Sequence, residues 1–541
     1  MLVAPCSCAM HPTTKQYIAG MNNTSYVDSS LAENLMTPNT LRLADGRAAV
    51  RRIIAALVVA LVAASTLVAV PNGAEAKEPR DLIKTKTLDN GLEVIVLPDP
   101  SLPIVTIEMA VKNGAFTEPP KYNGLSHLYE HMFFKGNAVI PNQEAYLERM
   151  RELGIVFNGT TSTERVNYFF TLPKDNFEEG MEFMYNAITS PKFDEEEFEK
   201  EKKVVIGEVD RNESNPYYWF GQAIEEKLWY AHPSRKDPLG DRKSVLGATV
   251  DQMNTMQERY YVPNNSALLI AGDVEPEKAF EIAKEMYGEW EKGPDPFEKW
   301  PVPEHPELKE KSYLTVERDV KVPYVQFSWH GPSVTEDPKA TYAADVLSFI
   351  LSQPTSRFQK RLVESGLTLG AGISYYTQAR TGPINVNAQV APQNLKKAIR
   401  AVLEEIHRLE DPDYYTDEQL ESAKTILAVQ DTYDREKTSS FAHTVSFWWA
   451  TAGLDYYLDY VENLKAVTRA DIARYVKEYI GDDPYVMGVL LSKEQKEQLG
   501  LTDEKLAEMV KEIEKELEAE RAGEKSKDKA NVEDSGEANE S

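Results

Sequence analysis

Two histidines, His127 and His131, stand four positions apart with Glu130 between them, in an H-x-x-E-H arrangement. On an α-helix, positions i and i+4 lie on one face, so both imidazoles can reach a single ion while the carboxylate projects beside them. Neutral imidazole is a preferred zinc ligand, and a neighbouring carboxylate can take a proton from a water molecule that attacks a peptide carbonyl. The spacing therefore predicts a zinc-dependent peptidase centre.

Two histidines leave such a site short of a ligand, so we expect the fold to bring in an acidic or histidine side chain. An acidic stretch predicted to be helical, from about Asp194 to Arg211, contains the candidates Glu201 and Glu208. These glutamates are seven positions apart, which is two helical turns, so they lie on nearly one face. One can bind the ion while the other supports a ligand from behind. The spacing alone leaves open which glutamate has which role.

The rival interpretation of the motif is a surface helix that carries two histidines without a chemical role. The chain has eight histidines, and a chance H-x-x-E-H is expected in on the order of one chain in a hundred of this composition, so the pattern is moderately specific. Three other histidines, His330, His407 and His443, have no partner at ligand spacing, and we interpret them as structural. The sequence contains no G-x-S-x-G elbow and no phosphate-binding glycine loop.

The overall charge narrows the class of partner. A formal net charge of −27 argues against nucleic acid and against an anionic lipid surface, because both require a basic face. With 42% hydrophobic residues and a length of 541, the chain is predicted to be globular, with two or three folded units plus extensions. The two cysteines, Cys6 and Cys8, precede a predicted export signal, so the mature chain would have neither disulfides nor cysteine-bound zinc.

An export signal is predicted for residues 51–76. Two arginines precede an apolar run at residues 53–70, and a small-x-small cleavage site follows, ending at Ala76. Residues 1–50 would then be an unstructured or mis-started extension upstream of the signal. We expect an exported, periplasmic protein. The alternative is that residues 53–70 remain uncleaved and anchor the chain to the inner membrane.

The elements that would position these residues form a repeated order of strands and helices. Strands at 92–97 and 104–111 precede a helix that carries the motif, and a similar order recurs from about residue 312. We therefore predict an α+β fold of two similar domains, each a mostly antiparallel sheet packed with helices, forming a clam shell around a cavity. The predicted units are a zinc-binding domain at 83–292, a linker at 293–311, a homologous domain at 312–500 and a largely disordered acidic tail at 501–541.

Three blocks of sequence carry a resemblance to a known family. They are residues 88–96, the segment 124–126 (Gly-Leu-Ser) that runs into the motif, and residues 261–265 (Tyr-Val-Pro-Asn-Asn) followed by Gly272 and Asp273. Together they resemble the H-x-x-E-H zinc metallopeptidases of the pitrilysin, insulin-degrading enzyme and mitochondrial processing peptidase family. The similarity extends over roughly residues 83–495 and is greatest to the compact two-domain bacterial processing-type subgroup.

The resemblance implies a role for each residue of the predicted centre. It makes His127, His131 and Glu208 the ligands of one zinc ion, Glu130 the general base and Glu201 a supporting carboxylate. It also places Asn158 on an edge strand that binds the substrate as an additional β-strand. Because such pairing contacts the peptide backbone, it favours unstructured peptides over folded proteins.

The second half departs from the family pattern. Complete enzymes of this family place an arginine and, seven residues later, a tyrosine that reach the substrate near the metal. Here Arg361 is one place out of register and Leu369 stands where the tyrosine is expected, although Tyr375 or Tyr376 could substitute. In processing-type relatives, the metal motif and this pair can be divided between two paralogous chains.

These observations lead to one leading hypothesis for the function and two alternatives. The leading hypothesis is a zinc metalloendopeptidase that hydrolyses flexible peptides or unfolded segments in an enclosed chamber. It would act as the metal-bearing subunit of a homo- or heterodimer in which a paralogous partner supplies the arginine and tyrosine. The first alternative is a non-catalytic binding or assembly subunit of a peptidase complex. A weaker alternative is a zinc hydrolase that acts on a non-peptide substrate such as an ester.

Overall fold

The structure, a computed structural model, describes residues 79–537, with side chains as far as residue 523. The predicted extension at 1–50, with Cys6 and Cys8, and the predicted signal at 51–76 lie outside the described residues. Within the described range, none of the helices combines the length and the apolar character needed to cross a membrane.

The first half of the chain forms a six-stranded sheet with strand order β1-β2-β6-β3-β5-β4. Strands β2 and β6 run parallel, and the other neighbours are antiparallel. Its strands are β1 (Lys84–Thr87), β2 (Glu93–Pro98), β3 (Ile104–Val111), β4 (Val156–Thr161), β5 (Val166–Pro173) and β6 (Ser266–Gly272). Strands β3 and β6 are almost entirely buried, whereas β4 forms an edge of the sheet.

Helices cover this sheet and connect its strands. The helices of the first half and of the connection to the second are α1 (Pro79–Leu82), α2 (Leu125–Phe133), α3 (Gln143–Glu152), α4 (Phe177–Thr189), α5 (Glu195–Glu213), α6 (Pro216–Leu228), α7 (Arg242–Leu246), α8 (Val250–Tyr260), α9 (Pro276–Tyr287) and α10 (Pro296–Lys299). Helix α2 carries the H-x-x-E-H motif, and α5 is the predicted acidic helix. Both form close to the positions predicted from periodicity.

The second half forms a five-stranded sheet with strand order β7-β11-β8-β10-β9. Its strands are β7 (Ser312–Glu317), β8 (Tyr324–His330), β9 (Gly370–Tyr375), β10 (Pro383–Gln389) and β11 (Val486–Leu491). Strands β7 and β11 run parallel, and the remaining neighbours are antiparallel. Apart from β1, this order and the place of its one parallel pair are those of the first sheet. The topology confirms the internal repeat and the predicted fold class.

The helices of the second half follow the same sequence of elements. They are α11 (Pro338–Ser352), α12 (Arg357–Gln359), α13 (Leu395–Arg408), α14 (Asp417–Asp434), α15 (Thr438–Thr451), α16 (Leu454–Leu458), α17 (Tyr460–Ala466), α18 (Arg469–Tyr479), α19 (Lys493–Leu499) and α20 (Asp503–Glu537). Helix α12 continues into a π-helical turn at Lys360–Glu364. This helical segment is thus divided between two helical geometries.

The two halves exchange one helix each. Helix α6 of the first half packs on β7, β8 and β11, and α15 of the second half packs on β3 and β6. A β-carbon at Gly488 in β11 would lie 2.6 Å from Ile224 Cδ1 and 2.8 Å from Phe220 Cε2, so the glycine permits this close approach. Each sheet therefore has one face covered by a helix from the other half, and the two hydrophobic layers are continuous between halves.

The end of the chain differs from the predicted disordered tail. Residues 503–537 form helix α20, and its Leu506, Val510, Ile513 and Leu517 are buried in the core of the second half. These four residues are spaced at i, i+4, i+7 and i+11, which places them on one helical face. The composition of this segment is dominated by Glu and Lys residues, so composition alone does not indicate its apolar face.

Candidate metal centre

Helix α2 begins at a tight backbone contact. Gly124, which precedes the helix, has φ 87°, and a β-carbon there would lie 2.9 Å from Gly240 Cα. The buried carboxylate of Glu118 accepts hydrogen bonds from the backbone N–H groups of Gly124 at 2.7 Å and Ser126 at 2.6 Å. These bonds satisfy amides at the start of the helix that have no intrahelical partner. Burial raises the pKa of Glu118 to about 8.

The two motif histidines meet on one face of α2. His127 Nε2 and His131 Nε2 are 3.2 Å apart, and the ring centroids are 4.7 Å apart. Burial, together with the nearby His131, lowers the pKa of His127 to about 3. Burial also acts to lower the pKa of His131, but the carboxylates of Glu201, Glu130 and Glu208 raise it above its ordinary value.

Helix α5 brings both candidate glutamates to the histidines. Asp194 caps this helix, and the acidic residues of its first turn stabilise the positive end of the helix dipole. Glu208 Oε2 lies 3.6 Å from His127 Nε2, and one possible ligand atom each from His127, His131 and Glu208 lies within 4.8 Å of the others. The structure thus groups Glu208 with the two histidines.

Glu201 lies behind His131 and outside this group. Its Oε1 is 2.8 Å from His131 Nδ1, and its Oε2 is 2.6 Å from Lys135 Nζ. Burial acts to raise the pKa of Glu201, but the hydrogen bonds from His131 and Lys135 hold it below its ordinary value. The spacing left the roles of the two glutamates open, and the geometry gives them different positions.

The possible ligand atoms of His127, His131 and Glu208 are of the types that bind zinc. When the Nδ1–H of a neutral His131 donates a hydrogen bond to Glu201, Nε2 of the same ring carries no proton and faces Nε2 of His127. The two Nε2 atoms lie 3.2 Å apart, so a cation between them could be bound by both rings when His127 carries its proton on Nδ1. Two imidazole nitrogens and one carboxylate oxygen form a common ligand set of catalytic zinc, and a carboxylate behind one histidine is a common support. The residues present fit zinc.

Glu130 projects from α2 toward β4. Thr161 Oγ1 donates a hydrogen bond to Glu130 Oε2 at 2.6 Å, and the Glu130 side chain lies against Gly159. Asn158 is half-buried in the same strand, and its Oδ1 accepts the N–H of Gly159 at 3.0 Å. Sequence reasoning did not single out Thr161. The strand period could have found it, because residues 159 and 161 share one face.

The residues suggested as substitutes in the second half have partners there. Arg361 Nη2 lies 3.2 Å from Glu404 Oε2, and the Tyr375 hydroxyl donates to the carbonyl of Pro332 at 2.8 Å. Leu369 is 56% exposed, and burial raises the pKa of Tyr376 to about 12. The hydrogen-bonding partners of Arg361 and Tyr375 named here both belong to the second half.

Two of the histidines interpreted as structural make contacts between the halves. His443 Nδ1 of α15 lies 2.5 Å from Glu108 Oε2 of β3, and His330 Nε2 of β8 donates to the carbonyl of Leu228 at 2.7 Å. His443 also stacks near Phe169, with ring centroids 4.1 Å apart. These contacts join α6 and α15 to the sheets that they cover.

The fold and this site together define a two-domain α+β metallopeptidase-like protein. The family profile described as insulinase (peptidase family M16) matches residues 93–241, and the profile described as the peptidase M16 inactive domain matches residues 247–427. The chain belongs to this insulinase, or pitrilysin, family of peptidases.

Relatives in this family are named zinc proteases. The chain is 23% identical to the zinc protease PqqE of Helicobacter pylori, over 73% of this chain and 90% of the relative. It is 24% identical to an uncharacterized zinc protease, YmxG, of Bacillus subtilis, over 63% of this chain and 82% of the relative. Both relatives are covered over most of their length.

Solved structures share the fold. A protease from Helicobacter pylori matches with a TM-score of 0.67 and 22% identity, covering 76% of this chain and 99% of that chain. The first half of the periplasmic protease PqqL from Escherichia coli matches with a TM-score of 0.67 and 17% identity, covering 82% of this chain and 98% of that chain. At these identities the likeness shows the fold alone.

Proposed function

We propose that this protein is a zinc metalloendopeptidase that hydrolyses flexible peptides or unfolded segments. The observation that carries the proposal is the meeting of His127, His131 and Glu208 at one point with Glu130 beside them. In this proposal the two histidines and Glu208 hold one zinc ion. Zinc at such a site supplies Lewis acidity, which polarises the substrate carbonyl and makes water more acidic.

The residues of the chain perform the proton transfers. Glu130 accepts a proton from the attacking water and then delivers it to the nitrogen of the departing amine. Glu201 holds His131 through Nδ1 and so fixes its tautomer and the direction of its Nε2. Lys135 binds the other oxygen of Glu201 and keeps that carboxylate in place.

The edge strand supports a substrate in extended conformation. Among the described strands, β4 pairs only with β5, so its other edge can accept the backbone of a peptide. In this proposal Asn158 contacts that peptide. Folded proteins cannot present an isolated strand to this edge, which is why we propose flexible substrates.

The side chains at positions 361 and 369 of the second half favour a role for a partner subunit. Arg361 is held by Glu404, and Leu369 carries no polar group with which to contact a substrate. We therefore propose that this chain is the metal-bearing subunit of a dimer and that a paralogous subunit supplies the arginine and tyrosine. The same observation favours a second candidate, a subunit that binds peptides and assembles with a peptidase without independent catalysis.

The variant Glu130→Gln tests the proposed activity. It preserves the size of the side chain but removes the base, so zinc content should remain near one ion per chain while peptide hydrolysis falls to background. Assays of the chain alone and with a paralogous subunit should be run in parallel. Undiminished hydrolysis by the variant would refute the assignment. Activity that appears only with the partner would support the divided site.

We also propose that the protein is exported to the periplasm. The apolar run at 53–70 followed by Ala76 supports a cleaved signal, and one structural neighbour, PqqL, is described as periplasmic. Sequencing the amino terminus of the protein from the native cell tests this proposal. A start at Lys77 is expected, whereas retention of residues 53–70 would indicate a membrane anchor.

A further inference from the structure

A hydroxyl group on the edge strand contacts the carboxylate of Glu130. Thr161 Oγ1 donates to Glu130 Oε2 at 2.6 Å, and both side chains are buried, with relative exposures of 6% and 1%. Hydrogen bonds to a charged acceptor are stronger than neutral ones, and a buried site limits competition from water. This bond therefore restricts the rotation of the carboxylate.

Gly159, on the same strand face, leaves the space that the Glu130 side chain occupies. Residues two apart on a strand face the same way, so Gly159 and Thr161 both face α2. A β-carbon at Gly159 would lie 2.8 Å from Glu130 Cγ and 3.0 Å from Glu130 Oε1. Glu130 thus occupies space that only glycine leaves, and the hydroxyl of Thr161 holds its Oε2 there.

The strand end that carries Thr161 is itself fixed from the second half. Arg165, in the turn after β4, donates through Nη1 to the carbonyl of His443 at 2.8 Å and to Ser446 Oγ at 2.7 Å. Its Nη2 donates to Thr160 Oγ1 at 3.4 Å, and Thr160 donates in turn to Asn167 Oδ1. The end of β4 next to Thr161 is therefore connected to α15 by hydrogen bonds.

We propose that Thr161 is a positioning residue that orients Glu130 for proton transfer. The inference rests on the proposed function, because it assigns Glu130 as the base. A general base must lie within hydrogen-bonding distance of the water that it deprotonates, and small displacements of a catalytic group reduce the rate strongly. Removing the hydroxyl should let the carboxylate leave this orientation without disturbing the metal ligands.

The experiment compares three variants of the full chain. Thr161→Val removes the donor with nearly unchanged shape, and Thr161→Ser retains the donor. Thr171→Val is the matched control, because Thr171 lies in the neighbouring strand β5 and its hydroxyl binds Thr106 Oγ1 at 2.8 Å, away from Glu130. For each variant, kcat, KM and zinc per chain are measured, and zinc-loaded crystal structures are determined for the wild type and Thr161→Val.

The three variants are expected to differ in kcat. Thr161→Val should lower kcat about 10- to 100-fold with KM and zinc content within about twofold of the wild type, as expected for a displaced catalytic group. Thr161→Ser should recover most of kcat, and Thr171→Val should match the wild type. In the crystal structures, the Glu130 carboxylate should move away from β4 in Thr161→Val.

Other outcomes separate the two proposals. Wild-type kcat in Thr161→Val, or an equal loss in Thr171→Val, would overturn the positioning role while the proposed activity stands. If the wild type hydrolyses no peptide, either alone or together with a paralogous subunit, the proposed function fails, and the crystal structures decide the positioning role alone. An unchanged Glu130 conformation in Thr161→Val would then overturn it, and a moved carboxylate would support it.

Discussion

At the scale of single residues, the side chains of the candidate metal centre are positioned in different ways. His131 is oriented by Glu201 through its Nδ1, whereas Glu208 reaches the group from the middle of α5 at 3.6 Å from His127. If Glu208 is a ligand and Glu201 a support, as proposed, losing Glu208 would remove a metal–oxygen bond, but losing Glu201 would only free the His131 ring to rotate. The two glutamates should therefore have unequal effects on metal binding.

Removal of zinc is predicted to lower the melting temperature of the protein. Zinc bound only by the folded protein raises its melting temperature, and a chelator should reverse that increase. Glu208→Gln should abolish the zinc-dependent increase, and Glu201→Gln should weaken zinc affinity by about 10- to 100-fold. Thermal unfolding with graded free zinc measures both effects. Glu195→Gln, an exposed acid in the first turn of the same helix, serves as the control. Equal zinc affinity in Glu208→Gln and this control would contradict the ligand assignment.

The stability of the protein is predicted to depend on pH through Asp345 in α11. Burial raises the pKa of Asp345 to about 7, even though Tyr460 donates a hydrogen bond to its Oδ2 at 2.6 Å. The folded pKa lies above the ordinary value of 3.8, so folding favours the protonated form and stability falls as pH rises from about 4 through about 7.

The variant Asp345→Asn should remove that contribution. It should be more stable than the wild type at pH 8 by on the order of a few kcal/mol and should show little advantage at pH 4, because only the charged form is penalised. Chemical denaturation at both pH values measures the difference. An equal effect of the substitution at pH 4 and pH 8 would show that ionisation of Asp345 is not its cause.

At the scale of elements, α20 shows how an apolar face stabilises a segment that looks disordered by composition. Its buried residues pack into the second core, and its acidic face pairs with α13 through Lys396–Glu512 at 2.9 Å and Arg400–Glu516 at 2.9 Å. Exposed pairs of this kind contribute little, so the apolar face supplies most of the attachment.

Truncating one buried side chain of α20 should therefore be costly. Ile513 is fully buried, and Ile513→Ala should lower the free energy of unfolding by about 2–5 kcal/mol. Glu518→Ala, an exposed position on the same helix, is the control and should change it by less than about 0.5 kcal/mol. Urea unfolding monitored by circular dichroism measures both variants. Equal stability of the two would show that the helix is dispensable.

Prediction from sequence succeeded where the signal was local. The motif helix and the acidic helix follow from periodicity, and the repeated order of elements along the chain follows from similar runs in each half. Local periods indicate which face Thr161 and Leu506 occupy, but the contact of Thr161 with Glu130 and the burial of Leu506 in the second core depend on packing between distant segments. The predicted roles of all the site residues remain predictions, although the structure brings Glu208 to the two histidines and places Glu201 against His131.

At the scale of the whole molecule, the exchanged helices make each half depend on the other. Without α15, the buried residues Ile95, Leu97 and Leu269 of the first sheet would lose their cover. Without α6, Val486 and Leu490 of the second sheet would be exposed. Apolar area of this extent cannot be left in water without aggregation or loss of structure.

We therefore predict that the halves unfold as a single cooperative unit. Residues 79–311 expressed alone should lack a cooperative thermal transition and should bind a hydrophobic dye, because the face of the sheet that α15 covers is exposed. Co-expression with residues 312–541 should restore a folded complex. Scanning calorimetry of the three samples tests this expectation. A sharp transition for residues 79–311 alone would show that the first half is an independent domain.

The exchange of helices also has a consequence for synthesis of the chain. The first sheet is complete once Gly272 has emerged, but the helix that covers one of its faces begins only at Thr438. At the usual 5–20 residues per second, the ribosome needs on the order of ten seconds to half a minute to make the intervening segment. We therefore expect the nascent first half to expose an apolar surface throughout that interval and to bind chaperones that recognise such surfaces.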